Sequence, residues 1–146
     1  MYGPLLLVHV LAATIWTGGH IVLSTVVLPG VLRERSPDRL RRFEGAYEKI
    51  GIPALVVQVA TGVELARLRL AGTGQWFDFG DPISRLVSIK LILLAITVAF
   101  AVDARFRLMP RLTEKNLVAV AWHVVPVTII SILFVVIGVS FRTGWF

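Results

Sequence analysis

Long apolar stretches alternate with short charged segments along this chain. No Asp, Glu, Lys or Arg occurs in residues 1–32 or in residues 116–141. Both runs exceed the roughly 18 apolar residues that mark a membrane-spanning helix. Two weaker apolar stretches lie between them, one interrupted by Glu64 and the other by Lys90. The pattern predicts four membrane spans at about residues 4–28, 47–68, 82–104 and 117–141, with the first ended by Pro29-Gly30.

Composition agrees with this pattern. Of the 146 residues, 56% are hydrophobic and only 16% are charged, which excludes a soluble domain and a disordered chain. We therefore predict an all-α, integral membrane four-helix bundle that forms a single transmembrane domain over residues 1–146. The absence of cysteine excludes disulfides, thiolate metal sites, iron–sulfur clusters and c-type haem.

Lysine and arginine flank the spans unevenly, and their distribution predicts the orientation. Basic residues concentrate in the loops after spans one and three, and positive charge favours the cytoplasmic side. Both termini are therefore expected on the outer (periplasmic) side. The net charge of +6 is explained by lipid head groups and topology, so no nucleic-acid partner is expected. The longest loop on the outer side is Gly72–Asp81. It is interpreted as an interfacial loop or, alternatively, as a cover for an outer-facing site.

Few polar groups lie inside the spans, and such groups usually face the bundle interior. They are His9, His20, Glu64, Lys90 and His123. In a helix, His9, Trp16 and His20 fall within about 20° of one stripe. The two histidines would nevertheless be about 16.5 Å apart along the axis. They cannot ligate one ion, so they belong to two different levels.

The topology assigns the other polar residues to these levels. His9, Lys90 and Glu64 form an outer cluster, in which Lys90 is a candidate to hold a carboxylate, either Glu64 in an ion pair or a haem propionate. His20 and His123 form an inner pair suited to the axial ligation of b-type haem. The purely structural alternatives are interhelical hydrogen bonds for the histidines, a snorkelling side chain for Lys90 and hydration at the outer surface for Glu64. Asp103 is expected to be a solvated boundary residue.

Four segments resemble known families in the right order. The segment that begins at His9, HVLAATIWTGGHIVLSTVVLPG, resembles the first helix of HemJ-type protoporphyrinogen IX oxidases and of copper-resistance D (CopD) membrane domains. The second and third segments, FEGAYEKIGIPALVVQVATGVELA and SIKLILL, are similar to the Pro-bearing second helix and the Lys-bearing third helix. The last segment, WHVVPVTIISILFVVIGV, is similar to the Pro-bearing last helix.

The HemJ-type resemblance implies haem b, with the functional histidine at His9 and the functional lysine at Lys90. Our first hypothesis is a haem-binding redox protein with porphyrinogen oxidase-like activity. Its catalytic candidates are His9, Lys90 and Glu64, and its cofactor-binding or metal-ligating candidates are His9, His20, His123 and Trp16. The CopD resemblance implies copper uptake or handling. With two Met and no Cys, the chain offers few sulfur ligands for a path that carries Cu(I). A cofactor-free assembly subunit is the third reading.

The expected surroundings follow from the same hypotheses. We predict an integral protein of a bacterial inner membrane, in contact with the lipid bilayer. A redox partner or quinone would accept electrons under the haem hypothesis. A homodimer is left open.

Overall fold

The chain folds as a set of long helices. A computed structural model describes residues 2–70 and 72–145, and that part of the chain contains helices and loops but no strand. The helices are α1 (Tyr2–Val22), α2 (Leu28–Glu34), α3 (Pro37–Arg69), α4 (Pro82–Asp103) and α5 (Leu117–Thr143). The predicted all-α class is confirmed.

Four helical stretches are long and apolar enough to cross a membrane. The first joins α1 to α2 through a π-helical turn, and the third extends α4 through a second π-helical turn and a 3₁₀ turn. The four stretches are Tyr2–Glu34, Pro37–Arg69, Pro82–Arg111 and Glu114–Thr143. The predicted four-helix membrane architecture is confirmed.

The prediction that Pro29-Gly30 ends the first helix is wrong. The π-helical turn Leu23–Val27 precedes Pro29, and the Leu28 N–H bonds to the Leu23 carbonyl. This wider register accommodates a proline, which lacks an N–H and crowds the preceding turn. The helix continues to Glu34 and ends at Arg35, whose N–H bonds to the Val31 carbonyl. The left-handed backbone of Arg35 (φ 48°) directs the next N–H, that of Ser36, to the same carbonyl at 3.1 Å.

Helix α3 begins well before the predicted second span. The Ser36 side chain caps it by accepting from the Arg39 N–H at 3.4 Å, and Pro37 occupies the first turn. The first turns of α3 carry many charges and therefore extend past the apolar span. Hydropathy detects only the apolar part of a helix that continues into water.

The bundle is closed on three sides. Helix α1 packs against α3 and α5, and α5 packs against α4, whereas α3 and α4 have almost no direct contact. The half of the bundle around α2 is filled by an apolar cluster, which consists of Leu23, Leu28, Val31, Leu40, Leu112, Leu117, Val120 and Val124. The opposite half, which contains the start of α1 and the end of α5, contains a cavity instead.

Close approach of α1 and α3 depends on glycine. A Cβ at Gly19 would collide with the ring of Tyr47 on α3, whereas a Cβ at Gly18 would meet nothing within 4 Å. Hydrogen bonds between α1 and α5 complement this packing. Thr17 donates to the Ser131 carbonyl at 3.3 Å, and Thr128 donates to the His20 carbonyl at 3.2 Å.

Candidate functional site

A cavity of about 570 Å³ lies near the end of the bundle where α1 begins and α5 ends. It is here called the outer cavity, because the distribution of basic residues predicts that this end faces outward. Its volume is within the range of roughly 300–1,000 Å³ that is typical of ligand sites. Helices α3 and α4 form opposite walls across their open seam. Most of the lining is apolar, and its polar members are Tyr2, His9, Thr14, Gln58, Arg69, Lys90 and Arg142, with the indoles of Trp16 and Trp76.

His9 is held in one orientation by α3. Its Nδ1 lies 2.9 Å from Oγ1 of Thr61, and that hydroxyl donates to the Val57 carbonyl at 2.6 Å. Because the hydroxyl proton is used there, Thr61 accepts from His9, and Nδ1 carries the ring proton. Gly62 leaves room for the ring, since a Cβ there would lie 3.0 Å from His9 Cε1.

Lys90 points into the outer cavity rather than forming an ion pair. Its Nζ lies 5.4 Å from the centre of the Phe141 ring, and a Cβ at Gly138 would lie 3.4 Å from Nζ. The Arg69 guanidinium also lies 5.4 Å from the centre of the Phe141 ring. Across residues 2–70 and 72–145, no carboxylate lies within ion-pair distance of Lys90.

Glu64 lies away from this group. It pairs with Arg67 at 3.8 Å, its side chain is 45% exposed, and it is not part of the cavity wall. The candidate Glu64–Lys90 ion pair is therefore not formed in the structure. The reason is the helical face: Gly62 and Ala66 line the outer cavity, and Glu64 points to a different side of α3.

His20 lies below the outer cavity and is only 9% exposed. Its Nδ1 donates to the Trp16 carbonyl at 3.0 Å, because a carbonyl can only accept. The ring packs on the Trp16 indole with centroids 4.3 Å apart and meets the edge of Tyr47 at 5.9 Å. Trp16 thus separates His9, which lines the outer cavity, from His20, which does not.

His123 belongs to a separate group at the other end of the bundle. Its Nδ1 donates to the Ala119 carbonyl at 3.0 Å, and its Nε2 lies 2.7 Å from Oδ2 of Asp103. Phe100 packs edge-on against the ring. Asp103 also accepts from Arg107 at 3.0 Å, so it anchors two side chains and is not simply solvated.

The structure keeps the expected inner pair apart. The α5 residue at the level of His20 is Thr128, five residues beyond His123. At 1.5 Å per residue, this places His123 about 7.5 Å further along the axis. The Nε2 atom of His123 is also engaged by Asp103. These two histidines therefore do not face each other across a space for haem.

Three contacts that orient the histidines were not foreseen: Thr61 at His9, Tyr47 at the Trp16 carbonyl, and Asp103 at His123. Each joins residues on different helices, so single-helix periodicity carries no signal for it. The loop that contains Trp76 contributes to the wall of the outer cavity. Trp76 lines the outer cavity, and the Ser88 hydroxyl donates to its carbonyl at 2.5 Å.

The described residues contain no group of three or more His, Cys, Asp or Glu side chains that could hold a metal ion together. The three histidines instead lie at three depths, His9 beside Thr61, His20 beside Trp16 and His123 beside Asp103. Fold and site together define a membrane-spanning four-helix bundle with single imidazoles in its interior and a large apolar cavity near one face.

Comparison with known families agrees with this class. Residues 39–141 match the family described as copper resistance protein D, CopD. The match covers more than half of the chain, so the chain belongs to the CopD family. It includes Lys90 and His123 and begins after His9 and His20. No curated protein and no solved structure matches the chain.

Proposed function

We propose that this chain is a copper-handling membrane protein in which three imidazoles, His9, His20 and His123, are successive ligands for copper ions that cross the bundle. Copper is the cargo in this proposal, not a resident cofactor. Membership of the CopD family supports it, as does the affinity of imidazole nitrogen for copper. It gives copper precedence over haem, which was the first hypothesis on the histidine pair and the HemJ-type resemblance.

One observation carries the proposal. In all three histidines Nδ1 is bonded to an acceptor, namely Thr61 Oγ1, the Trp16 carbonyl and the Ala119 carbonyl. Metal-binding histidines usually donate one ring N–H to such an acceptor, which fixes the tautomer and leaves the other nitrogen for the metal. At His9 and His20 the neutral imidazole would thus present Nε2 as the ligand atom, whereas at His123 Nε2 is engaged by Asp103.

The spacing of the three histidines favours passage over storage. His9 and His20 lie about 16.5 Å apart and His20 and His123 about 7.5 Å apart along the axis, so no ion contacts two of them at once. A permeation path needs sites that bind well enough for an ion to enter and weakly enough for it to leave. Single imidazoles meet this condition better than a closed cluster of ligands.

Asp103 distinguishes His123 from the other two proposed copper ligands. A metal ion and a proton compete for the same nitrogen, so copper binding at His123 would release the Nε2 proton shared with Asp103. The carboxylate could then act as a second, oxygen ligand. With the distribution of basic residues, we further infer that His123 lies on the cytoplasmic side of the plasma membrane and both termini lie outside.

Copper flux into proteoliposomes tests the proposal. The protein is reconstituted into liposomes that contain a fluorescent copper(I) chelator, and copper(I) is added outside. We expect flux with the wild type, and about tenfold or greater loss with His9→Ala, His20→Ala and His123→Ala. Trp122→Phe, an exposed substitution beside His123, is the control and should retain full flux. Equal flux in all four variants would show that the imidazoles are not ligands.

A second candidate is favoured by the size of the outer cavity. A b-type haem would have His9 as its single protein ligand there, with Lys90, Arg69 and Arg142 available to its carboxylates. When bound, it would supply one-electron redox chemistry, as in the porphyrinogen oxidase hypothesis. A Soret band in the purified protein that His9→Ala abolishes and His20→Ala leaves unchanged would favour this candidate.

A further inference from the structure

The outer cavity is much larger and more apolar than a copper path requires. Its walls are formed by hydrocarbon side chains such as Leu55, Val59, Leu91 and Leu94, which offer no ligand atom to a metal ion. Apolar surface of this kind is stabilised by contact with an apolar ligand. The cavity therefore calls for an occupant with a substantial hydrocarbon part.

Two buried polar atoms in the wall lack partners. Among the described residues, Gln58 Oε1 and Trp76 Nε1 are the buried side-chain nitrogen and oxygen atoms without a hydrogen bond. Both residues line the outer cavity, and Gln58 is only 9% exposed. Buried polar groups are nearly always hydrogen-bonded, so this pair indicates a polar group on the occupant. The Gln58 amide can rotate to present its NH₂, so that both groups donate.

The charge of the wall indicates the sign of that polar group. Lys90, Arg69 and Arg142 line the cavity, and no described carboxylate does. A desolvated cation without an anionic partner is costly, and an anion brought by a ligand would remove that cost. The wall therefore favours an anionic head at Lys90, and the unpartnered indole N–H of Trp76 in the same wall is a further donor for it.

The open seam suggests where such a molecule comes from. Helices α3 and α4 scarcely touch, and several lining residues, including Val63 and Val139, have exposed apolar surface. In a membrane this surface contacts lipid chains. The outer cavity is thus accessible from the bilayer.

We propose that the outer cavity binds one membrane amphiphile, with an acyl chain against the apolar walls and an anionic oxygen head at Lys90 and Trp76. The head is a carboxylate if the source is a free fatty acid, and a phosphate if it is an anionic phospholipid. The copper proposal depends on three imidazoles, of which only His9 lines this cavity, so the two proposals are tested with different probes and different variants.

Lipid binding by the full chain in a neutral detergent tests this inference. The probes are hexadecanoate, hexadecanol, phosphatidylglycerol and phosphatidylcholine, and native mass spectrometry counts the molecules retained. We expect one anionic molecule per chain, held at least about tenfold more tightly than the uncharged or zwitterionic analogue with the same chains. Hexadecanoate binding identifies a fatty acid as the source, and phosphatidylglycerol binding identifies a phospholipid.

Variants locate the head group. Lys90→Met should weaken anionic binding at least about tenfold, whereas Lys90→Arg should retain it. Lys115→Met is the matched control, because Lys115 lies in the opposite loop, and it should bind like the wild type. If Lys90→Met fails to fold, Gly138→Leu provides a second test, since a side chain there would occupy the space beside Nζ and should block binding.

Several results would overturn the inference. The inferred anionic head would be contradicted if hexadecanol and hexadecanoate were retained equally and the two phospholipids were also retained equally. Equal weakening by Lys90→Met and Lys115→Met would show that binding is not at Lys90. A porphyrin that occupies the cavity of the purified protein in place of lipid would also contradict it. None of these results depends on whether the protein moves copper.

Discussion

The carbonyl oxygen of Trp16 accepts hydrogen bonds from two side chains, His20 on its own helix and Tyr47 on α3, each at 3.0 Å. Tyr47 stands close to Trp16 and His20 because Gly19 leaves space for its ring. One glycine and one carbonyl therefore couple the orientation of a buried imidazole to the packing of two helices.

Gly19→Ala should destabilise the bundle, whereas Gly18→Ala should not. The added methyl at residue 19 collides with the Tyr47 ring, and the same methyl at residue 18 meets nothing within 4 Å. Overpacking at such a contact typically costs about 1–3 kcal/mol. The measurement is thermal unfolding in detergent, with the two variants compared side by side. Equal unfolding temperatures would contradict the close packing of α1 on α3.

Tyr47→Phe should lower stability slightly by removing the hydroxyl that donates to the Trp16 carbonyl. Interhelical hydrogen bonds in membrane proteins contribute about 0.6 kcal/mol on average. Tyr2→Phe is the control, since the Tyr2 hydroxyl bonds to Arg69 at an exposed position. Unfolding followed by circular dichroism should show the larger loss for Tyr47→Phe. A larger loss for Tyr2→Phe would argue against a structural role for this bond.

The fold could be predicted well because each span carries its own signal. The uncharged runs of the first and last helices already indicate that they cross a membrane, whatever they pack against. The ends of the helices could not be predicted equally well. A proline such as Pro29 often follows the end of a helix, but here the preceding π-helical turn accommodates it. The local sequence contains no signal that predicts this turn.

The candidate site could be predicted only in part. Helical periodicity correctly places His9 and Trp16 along one side of α1, and both line the outer cavity. It does not reveal that Asp103 engages His123, or that Glu64 faces Arg67 rather than Lys90. These relationships depend on the rotation and depth of one helix relative to another, which a single sequence does not encode locally.

Thr61→Val should release His9 from its present orientation. The substitution nearly preserves the shape of the side chain but removes the oxygen that accepts from Nδ1 at 2.9 Å. We expect the ring to populate both neutral tautomers, which nitrogen NMR of labelled histidine reports directly. Under the copper proposal, affinity at this site should fall about 10–100-fold.

Thr61→Ser is the control for that experiment, because it keeps the hydroxyl and should keep the wild-type tautomer. If Thr61→Val leaves both the tautomer and the copper affinity unchanged, Thr61 does not position His9. A changed tautomer with unchanged copper affinity would instead separate the hydrogen bond from the proposed function.

The cap of α4 should make stability depend on acid pH. Asp81 Oδ2 accepts from the Ser84 N–H at 2.8 Å, and this bond at the helix N-terminus lowers the pKa of the Asp81 carboxyl. A lowered pKa means that the stabilisation is fully present above the unfolded-state pKa of about 3.9 and is lost as the pH falls through the lower folded-state value. Thermal unfolding of the wild type and of Asp81→Ala between neutral pH and pH 2 should therefore show a gap that is constant down to about pH 4 and narrows below it. The control is Asp81→Asn, which still caps the helix but does not titrate. Its unfolding temperature should therefore rise relative to that of the wild type over the same acid range. A gap between the wild type and Asp81→Ala that is constant over the whole pH range would show that the charge of Asp81 does not stabilise α4.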